Sequence, residues 1–297
     1  MFKKVLRRVA IGLAVIIVVL AGVQLYLLRG TPGKAITPTN SSVKYSATPT
    51  LLIPGWGGNT WTYTKLIDYY QDQNIATNAM VVRVAPTGAV QVSGSLKGKQ
   101  NPLIQVIYDW NYSTTYQPQV RELTQVLQVL ATKYHVQKLN VIAHSYGGTE
   151  LLHAYIGSKT LQREIALQKV VFLGVPVDES FGTNTKYTKW LFKKSHDQMF
   201  KTMLKEVKEA QLPRGLAFYN WMGSDEGKST TDGEVPQIQS LMLKTLIKHK
   251  QTRPLSPTYL HRYDPHGASP TGQDYQEDCP RDLGEGVGVF CKRNFIK

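Results

Sequence analysis

Hydrophobic positions along the chain follow two alternating periods. Short apolar runs, typical of buried strands, alternate with longer stretches in which apolar residues recur every three or four positions, typical of amphipathic helices. This alternation predicts a mostly parallel sheet with helices on both faces. The predicted strands are 50–53, 80–84, 89–92, 103–108, 139–143, 169–175, 216–221 and 258–263, of which the second and third form a hairpin, and the predicted helices are 61–70, 120–134, 151–156 and 238–247.

The N-terminus follows a different pattern. Lys3, Lys4, Arg7 and Arg8 precede the uncharged stretch 9–28, whose length is enough to cross a bilayer core. No small-residue cleavage site follows this stretch, which favours a retained anchor over a cleaved signal peptide. Because the cations precede the span, we expect a cytoplasmic N-terminus and an extracellular domain, hence a single-pass protein of the cell membrane.

The predicted organisation has four parts. A basic tail and transmembrane anchor (1–29) lead into a linker rich in Thr, Pro, Ser and Gly (30–48). The main domain (49–272) follows, and a C-terminal extension (273–297) ends the chain. Within the main domain, residues 179–213 break the alternation of strands and helices, which predicts a cap insertion containing a basic helix around 199–207.

Charge and cysteine content restrict the partners. The 297-residue chain carries a formal net charge of +14, which favours an anionic membrane surface or cell-wall polymer. Nucleic acid is not expected, because the cations are scattered and no nucleic-acid-binding motif is present. Cys279 and Cys291 either form a disulfide in an oxidising compartment or remain free thiols. Two thiolates without a nearby histidine make a poor metal site, so no metal is expected.

The candidate chemistry centres on His144-Ser145-Tyr146-Gly147-Gly148, between an apolar strand and an apolar helix. A strand, a sharp turn with serine at its tip and a helix form the context of a nucleophile elbow, in which small neighbours permit a strained serine backbone. The N–H of Tyr146 would then point towards a developing oxyanion. The alternative is a tight turn with a helix-capping serine.

A second loop, Pro54-Gly-Trp-Gly-Gly58, follows the first strand of the domain. It lacks the lysine and hydroxyl of a phosphate-binding loop. With an elbow downstream, its position is that of the second half of an oxyanion hole, and Trp56 N–H is the expected donor. A flexible turn is the other interpretation.

These stretches resemble the DUF915 family of Gram-positive cell-surface α/β-hydrolases. The similarity covers about 50–250 and is carried by 53–58, the hairpin, 101–106, 144–148 and 232–236. The resemblance implies an α/β-hydrolase fold and esterase-like serine hydrolysis. Two positions depart from the family pattern: Pro54 replaces a usual histidine, and His266-Gly-Ala-Ser replaces a His-Ser-x-Leu-His motif.

The acid and base of a triad are expected after Ser145 in the order Asp, then His. Asp232 is the first choice, because Asp-Gly-Glu-Val-Pro matches the family's acid motif; Asp225 and Asp178 are the alternatives. His266 is the expected base, since it follows the last strand in a loop that can reach the elbow.

The sequence therefore predicts a membrane-anchored serine hydrolase of small-molecule or lipid-like esters that needs no cofactor. Two alternatives stay open. One is a non-catalytic surface binding or adhesion protein on a hydrolase scaffold, and the other is a cell-wall acyltransferase.

Overall fold

The fold is built on one eight-stranded sheet. The computed structural model describes residues 2–224 and 229–247, together with the backbone of 256–261. The strands are β1 (Thr50–Ile53), β2 (Thr77–Val84), β3 (Val90–Gly94), β4 (Pro102–Tyr108), β5 (Lys138–His144), β6 (Ala166–Leu173), β7 (Ala217–Ser224) and β8 (Ser256–His261).

The strand order is β3-β2-β4-β1-β5-β6-β7-β8, and every neighbouring pair is parallel except the β2–β3 hairpin. The mostly parallel sheet and its hairpin are therefore confirmed. Strand β1 lies between β4 and β5, with Ile53 opposite Ala143. The loops that follow β1, β4 and β5 consequently emerge side by side at one edge of the sheet.

Helices cover both faces of the sheet, as predicted. Alternating side chains divide the interior into two cores: Leu51 and Ile53 face one, and Leu52 faces the other. The helices are α1 (Phe2–Leu27), α2 (Trp61–Asp72), α3 (Gln117–Thr132), α4 (Tyr146–Ile156), α5 (Lys159–Glu164), α6 (Gln198–Glu209), α7 (Gln237–Leu241) and α8 (Leu243–Ile247). Helix α2 packs on one face, and the helices that follow β4 contribute to the core of the other.

Two elements differ from the prediction. The single helix expected over 238–247 is two short helices that meet at Met242, and α5 was not predicted. The apolar spacing continues through Met242, so periodicity alone does not reveal the break. Helix α6 lies in the predicted cap and is capped at its N-terminus by Asp197, whose Oδ1 accepts hydrogen bonds from the N–H groups of Met199 and Phe200.

The segment that follows α1 is held against the domain. Leu28 and Thr31 are buried, and Thr31 N–H donates to Gln105 Oε1 at 2.7 Å. Lys34 N–H donates to Gln71 Oε1 at 2.6 Å. Helix α1 itself is exposed, and its length and composition suit either a membrane span or a signal sequence.

Candidate active site

Ser145 occupies a strained turn between β5 and α4. Its backbone angles, φ +49° and ψ −133°, lie outside the regions that non-glycine residues normally adopt. Such strain costs on the order of 1–3 kcal/mol and persists only where the surroundings enforce it. Here Ser145 N–H donates to Leu173 O on the neighbouring strand at 3.0 Å, and Ser145 O accepts Gly148 N–H at 3.0 Å. This is the backbone conformation that the elbow prediction requires.

Close approach of the loop after β1 explains the glycines around the serine. A Cβ on Gly147 would lie 2.5 Å from Pro54 O, and a Cβ on Gly55 would lie 2.6 Å from Ser145 Cβ. Neither position has room for a side chain. The Gly55–Gly58 loop is thus packed directly on the elbow, and the two motifs found separately in the sequence form one structure.

The backbone N–H groups proposed for an oxyanion hole are those of Trp56 and Tyr146. Tyr146 begins α4, so its amide belongs to the first turn, where helical amides lack intrahelical acceptors. Among the residues that the structure describes, neither amide donates a hydrogen bond.

Asn111 is a site residue that the sequence did not reveal. Its side-chain amide nitrogen donates to Gly55 O at 2.8 Å and to Gly58 O at 3.1 Å, while its backbone carbonyl oxygen accepts Gly57 N–H at 2.7 Å. The loop after β4 thereby fixes the loop after β1. A polar residue shortly after a buried strand was the only available signal.

Asp232 lies at the carboxyl ends of β6 and β7. A Cβ placed on Gly174 would lie 3.0 Å from Asp232 Oδ2, and a Cβ placed on Gly223 would lie 2.3 Å from Asp232 Cβ. Asp232 Oδ1 accepts Glu234 N–H at 3.0 Å and Val235 N–H at 2.7 Å. One carboxylate oxygen thus anchors the turn, and the other points over the strand ends.

Asp178 has a different environment. It is fully buried, its Oδ1 accepts Ser180 N–H at 3.0 Å, and burial raises the pKa of its carboxyl. These contacts tie it to the beginning of the cap. Asp225, His266, Cys279 and Cys291 lie outside the described residues.

His144 is close to the proposed machinery. Its Nδ1 would lie 3.2 Å from a Cβ on Gly55. Desolvation lowers the pKa of the imidazole, and the negative charge of Asp232 acts in the opposite direction. His144, the last residue of β5, is therefore a second histidine that experiments must distinguish from His266.

The cap contacts the elbow through side chains. Tyr146 donates its hydroxyl proton to Glu179 Oε1 at 2.6 Å, and its ring lies 5.5 Å from that of Tyr116.

Tyr116 also stacks on His153 of α4 at 5.4 Å, and burial lowers the pKa of His153 to about 4. The neutral imidazole therefore serves as a packing group at pH 7.

Comparison with known proteins identifies the class. A family model described as an alpha/beta hydrolase of unknown function (DUF915) matches residues 37–259, and the chain belongs to this family. No curated protein sequence matches the chain.

Two solved structures share the fold. A candidate cell surface hydrolase from Lactobacillus plantarum is 17% identical with a TM-score of 0.58, over 75% of this chain and 85% of its own. The lin2722 gene product of Listeria innocua is 23% identical with a TM-score of 0.60, over 72% of this chain and 84% of its own. At these identities the likeness establishes the α/β-hydrolase fold alone.

Proposed function

We propose that the protein is a membrane-anchored serine hydrolase that cleaves carboxylic esters outside the cell. The observation that carries the proposal is the strained Ser145 with the Gly55–Gly58 loop packed upon it. A strained non-glycine residue at the end of a central strand is a feature of functional sites. Helix α1 supplies the anchor, and the name of the Lactobacillus relative is compatible with a surface location.

In the proposed reaction, His266 removes the proton of the Ser145 hydroxyl as Oγ attacks the ester carbonyl carbon. The amides of Trp56 and Tyr146 bind the resulting oxyanion. The carbonyl-to-oxygen ester bond then breaks, and the alcohol leaves with the proton from His266. Water, deprotonated by His266, hydrolyses the acyl-enzyme to release the acid and restore the serine. Asp232 would accept a hydrogen bond from Nδ1–H of His266 throughout and fix the tautomer of the imidazole.

Labelling of the full chain by a fluorophosphonate probe tests the nucleophile. We expect wild type to be labelled and to hydrolyse short-chain esters, and Ser145→Ala to lose both properties. Labelling of Ser145→Ala as strong as that of wild type would show that the nucleophile is another residue. A labelled wild type that hydrolyses no ester would favour the binding or acyl-transfer alternatives.

Separate substitution of His266 and of His144 tests which histidine is the general base. His266→Ala should lose ester hydrolysis by several orders of magnitude, because the serine loses its proton acceptor. His144→Ala should retain most of it. The reverse result would assign the base to His144, which lies beside Gly55 within the field of Asp232.

A further inference from the structure

Exposed aromatic side chains surround the loop that contacts Ser145. We call this group the aromatic rim. It comprises Tyr26, Trp56, Trp61, Trp110 and Tyr112, each between 45% and 61% exposed. Trp56 and Trp110 both pack edge-on against Tyr112, with ring centroids 5.7 and 5.6 Å apart, and Tyr26 packs against Trp61 at 6.3 Å. So many large aromatic rings exposed together on a protein surface indicate an interaction site.

The C-terminal end of α1 is attached at this rim. Thr60 N–H donates to Leu27 O at 3.1 Å, and the Thr60 hydroxyl donates to the same oxygen. Gly30 N–H donates to Thr60 Oγ1 at 3.1 Å. The end of the apolar helix is therefore bonded to the residue that precedes Trp61, in the loop that also carries Trp56.

The residues that follow α1 hold the domain close to the end of the helix. Thr31 is held from both sides, because its N–H donates to Gln105 Oε1 at 2.7 Å and its carbonyl accepts Asn78 Nδ2 at 2.5 Å. Both partners are buried amides on strands of the sheet. Since the chain is fixed within three residues of Leu28, the domain cannot move far from the outer end of the span.

This attachment determines the level of the rim relative to a bilayer. The nineteen helical residues 9–27 rise about 28 Å, which is close to the hydrocarbon thickness of about 30 Å. Trp61 would then lie at the level of the lipid headgroups, where Trp and Tyr rings are enriched in membrane proteins. Arg29 also suits that position, because its guanidinium lies 4.0 Å from the Tyr26 ring centre and a cation at headgroup level would bind lipid phosphates.

We propose that the aromatic rim seats on the outer surface of the bilayer and that the Ser145 site draws its ester from the membrane. The substrate class is an ester-linked amphiphile whose carbonyl lies at headgroup depth. Trp56 belongs both to the rim and to the loop packed on Ser145, so the docked surface adjoins the reacting serine. This inference rests on the proposed function, both for the anchor and for the hydrolase site.

Quenching of tryptophan fluorescence by lipid tests the docking without any use of activity. The full chain is reconstituted in vesicles of phosphatidylcholine and phosphatidylglycerol, with or without phospholipids brominated near the headgroup end of the acyl chains. Wild type is compared with Trp61→Phe, Trp110→Phe and Trp190→Phe. Trp190 is the matched control, because it is 56% exposed like Trp110 but belongs to the cap, where Lys193 lies over its ring at 4.5 Å.

We expect bromolipid to quench wild-type emission, and the quenched part to fall in Trp61→Phe and in Trp110→Phe but not in Trp190→Phe. Equal losses in all three variants, or no quenching in a chain that floats with the vesicles, would overturn the docking while leaving the anchor intact. A chain that does not float with vesicles would contradict both. Fluorophosphonate labelling on the same vesicles reports the hydrolase site separately.

A second measurement addresses the source of the ester. Hydrolysis of a bilayer-embedded phospholipid ester is compared with that of a water-soluble short-chain ester. Trp61→Ser with Trp110→Ser should lose at least tenfold on the embedded ester relative to the soluble one. Equal losses on both esters would show that the rim does not deliver substrate from the bilayer.

Discussion

At the scale of single residues, the close contact between Gly55 and Ser145 leads to the first prediction. A methyl group at Gly55 would lie 2.6 Å from Ser145 Cβ and 2.9 Å from His144 O, so either the loop or the elbow must move. Because a displacement of about 1 Å can cost on the order of a hundredfold in rate, Gly55→Ala should lower kcat by about that factor. Steady-state kinetics on a soluble ester measures it. The control is Gly182→Ala, since a methyl group there meets no atom within 4 Å.

The acid provides the second prediction at this scale. Asp232→Asn should lower kcat by a few orders of magnitude, because the imidazole would lose the partner that fixes its tautomer. Asp178→Asn should cost far less. The raised pKa of the buried Asp178 carboxyl favours its neutral form, and an asparagine oxygen can still accept Ser180 N–H. If Asp178→Asn lowered kcat more than Asp232→Asn, the acid of the triad would be Asp178 instead.

At the scale of elements, the site is held by a loop-to-loop contact. Asn111 joins the loop after β4 to the loop after β1 through bonds to Gly55 O and Gly58 O. Asn111→Ala would leave both carbonyls without this donor and release the Trp56 amide from its position. We expect kcat to fall about tenfold to a hundredfold, with a smaller change in KM, because the oxyanion forms only in the transition state.

Kinetics on a soluble ester checks this prediction, with Asn184→Ala as the control for an exposed asparagine in the cap. A circular dichroism spectrum shows whether the variant is folded. A rise in KM of the same size as the expected fall in kcat, with kcat unchanged, would contradict the positioning role, since it would show that Asn111 contributes equally to binding of the ground state and of the transition state.

The elbow could be predicted from the sequence, whereas Asn111 could not, for a physical reason. The requirement for small residues beside Ser145 is local, because the strained turn is made by neighbours in the chain. The contribution of Asn111 depends on β4 pairing with β1, two strands about fifty residues apart. No period or composition signal reports such a pairing.

The segment after α1 shows the same distinction. Its Thr, Pro and Gly content is typical of a linker, but the groups that hold it are side chains of Gln71, Asn78 and Gln105, which are distant in sequence. An amide side chain within a buried strand, such as Gln105, was the available signal. A buried amide needs a partner, and here the partners are backbone groups of the segment after α1.

At the scale of the whole molecule, two carboxyl groups in the core make stability depend on pH. Glu150 and Glu122 are 1% and 3% exposed, and Tyr108 donates its hydroxyl proton to Glu150 Oε2 at 2.8 Å. Burial raises the pKa of Glu150 to about 8 and that of Glu122 to about 7. In the unfolded chain both groups ionise near pH 4.5, so between about pH 4.5 and 8 the folded state holds more protons than the unfolded state. The free energy of unfolding should therefore decrease as the pH rises through this window.

Glu150→Gln should remove much of this dependence, because the amide keeps an acceptor for the Tyr108 hydroxyl but cannot ionise. A shift of even one pKa unit is worth about 1.4 kcal/mol, so the variant should melt about 3–6 °C above wild type at pH 8.5. At pH 4.5 this advantage should disappear, since the wild-type carboxyl is then protonated in the folded state. Thermal unfolding of the full chain in detergent between pH 4.5 and 9 measures the difference. Glu209→Gln is the control, because the Glu209 side chain is 72% exposed. A difference in melting temperature between Glu150→Gln and wild type that stays constant with pH would show that Glu150 is already ionised in the native protein.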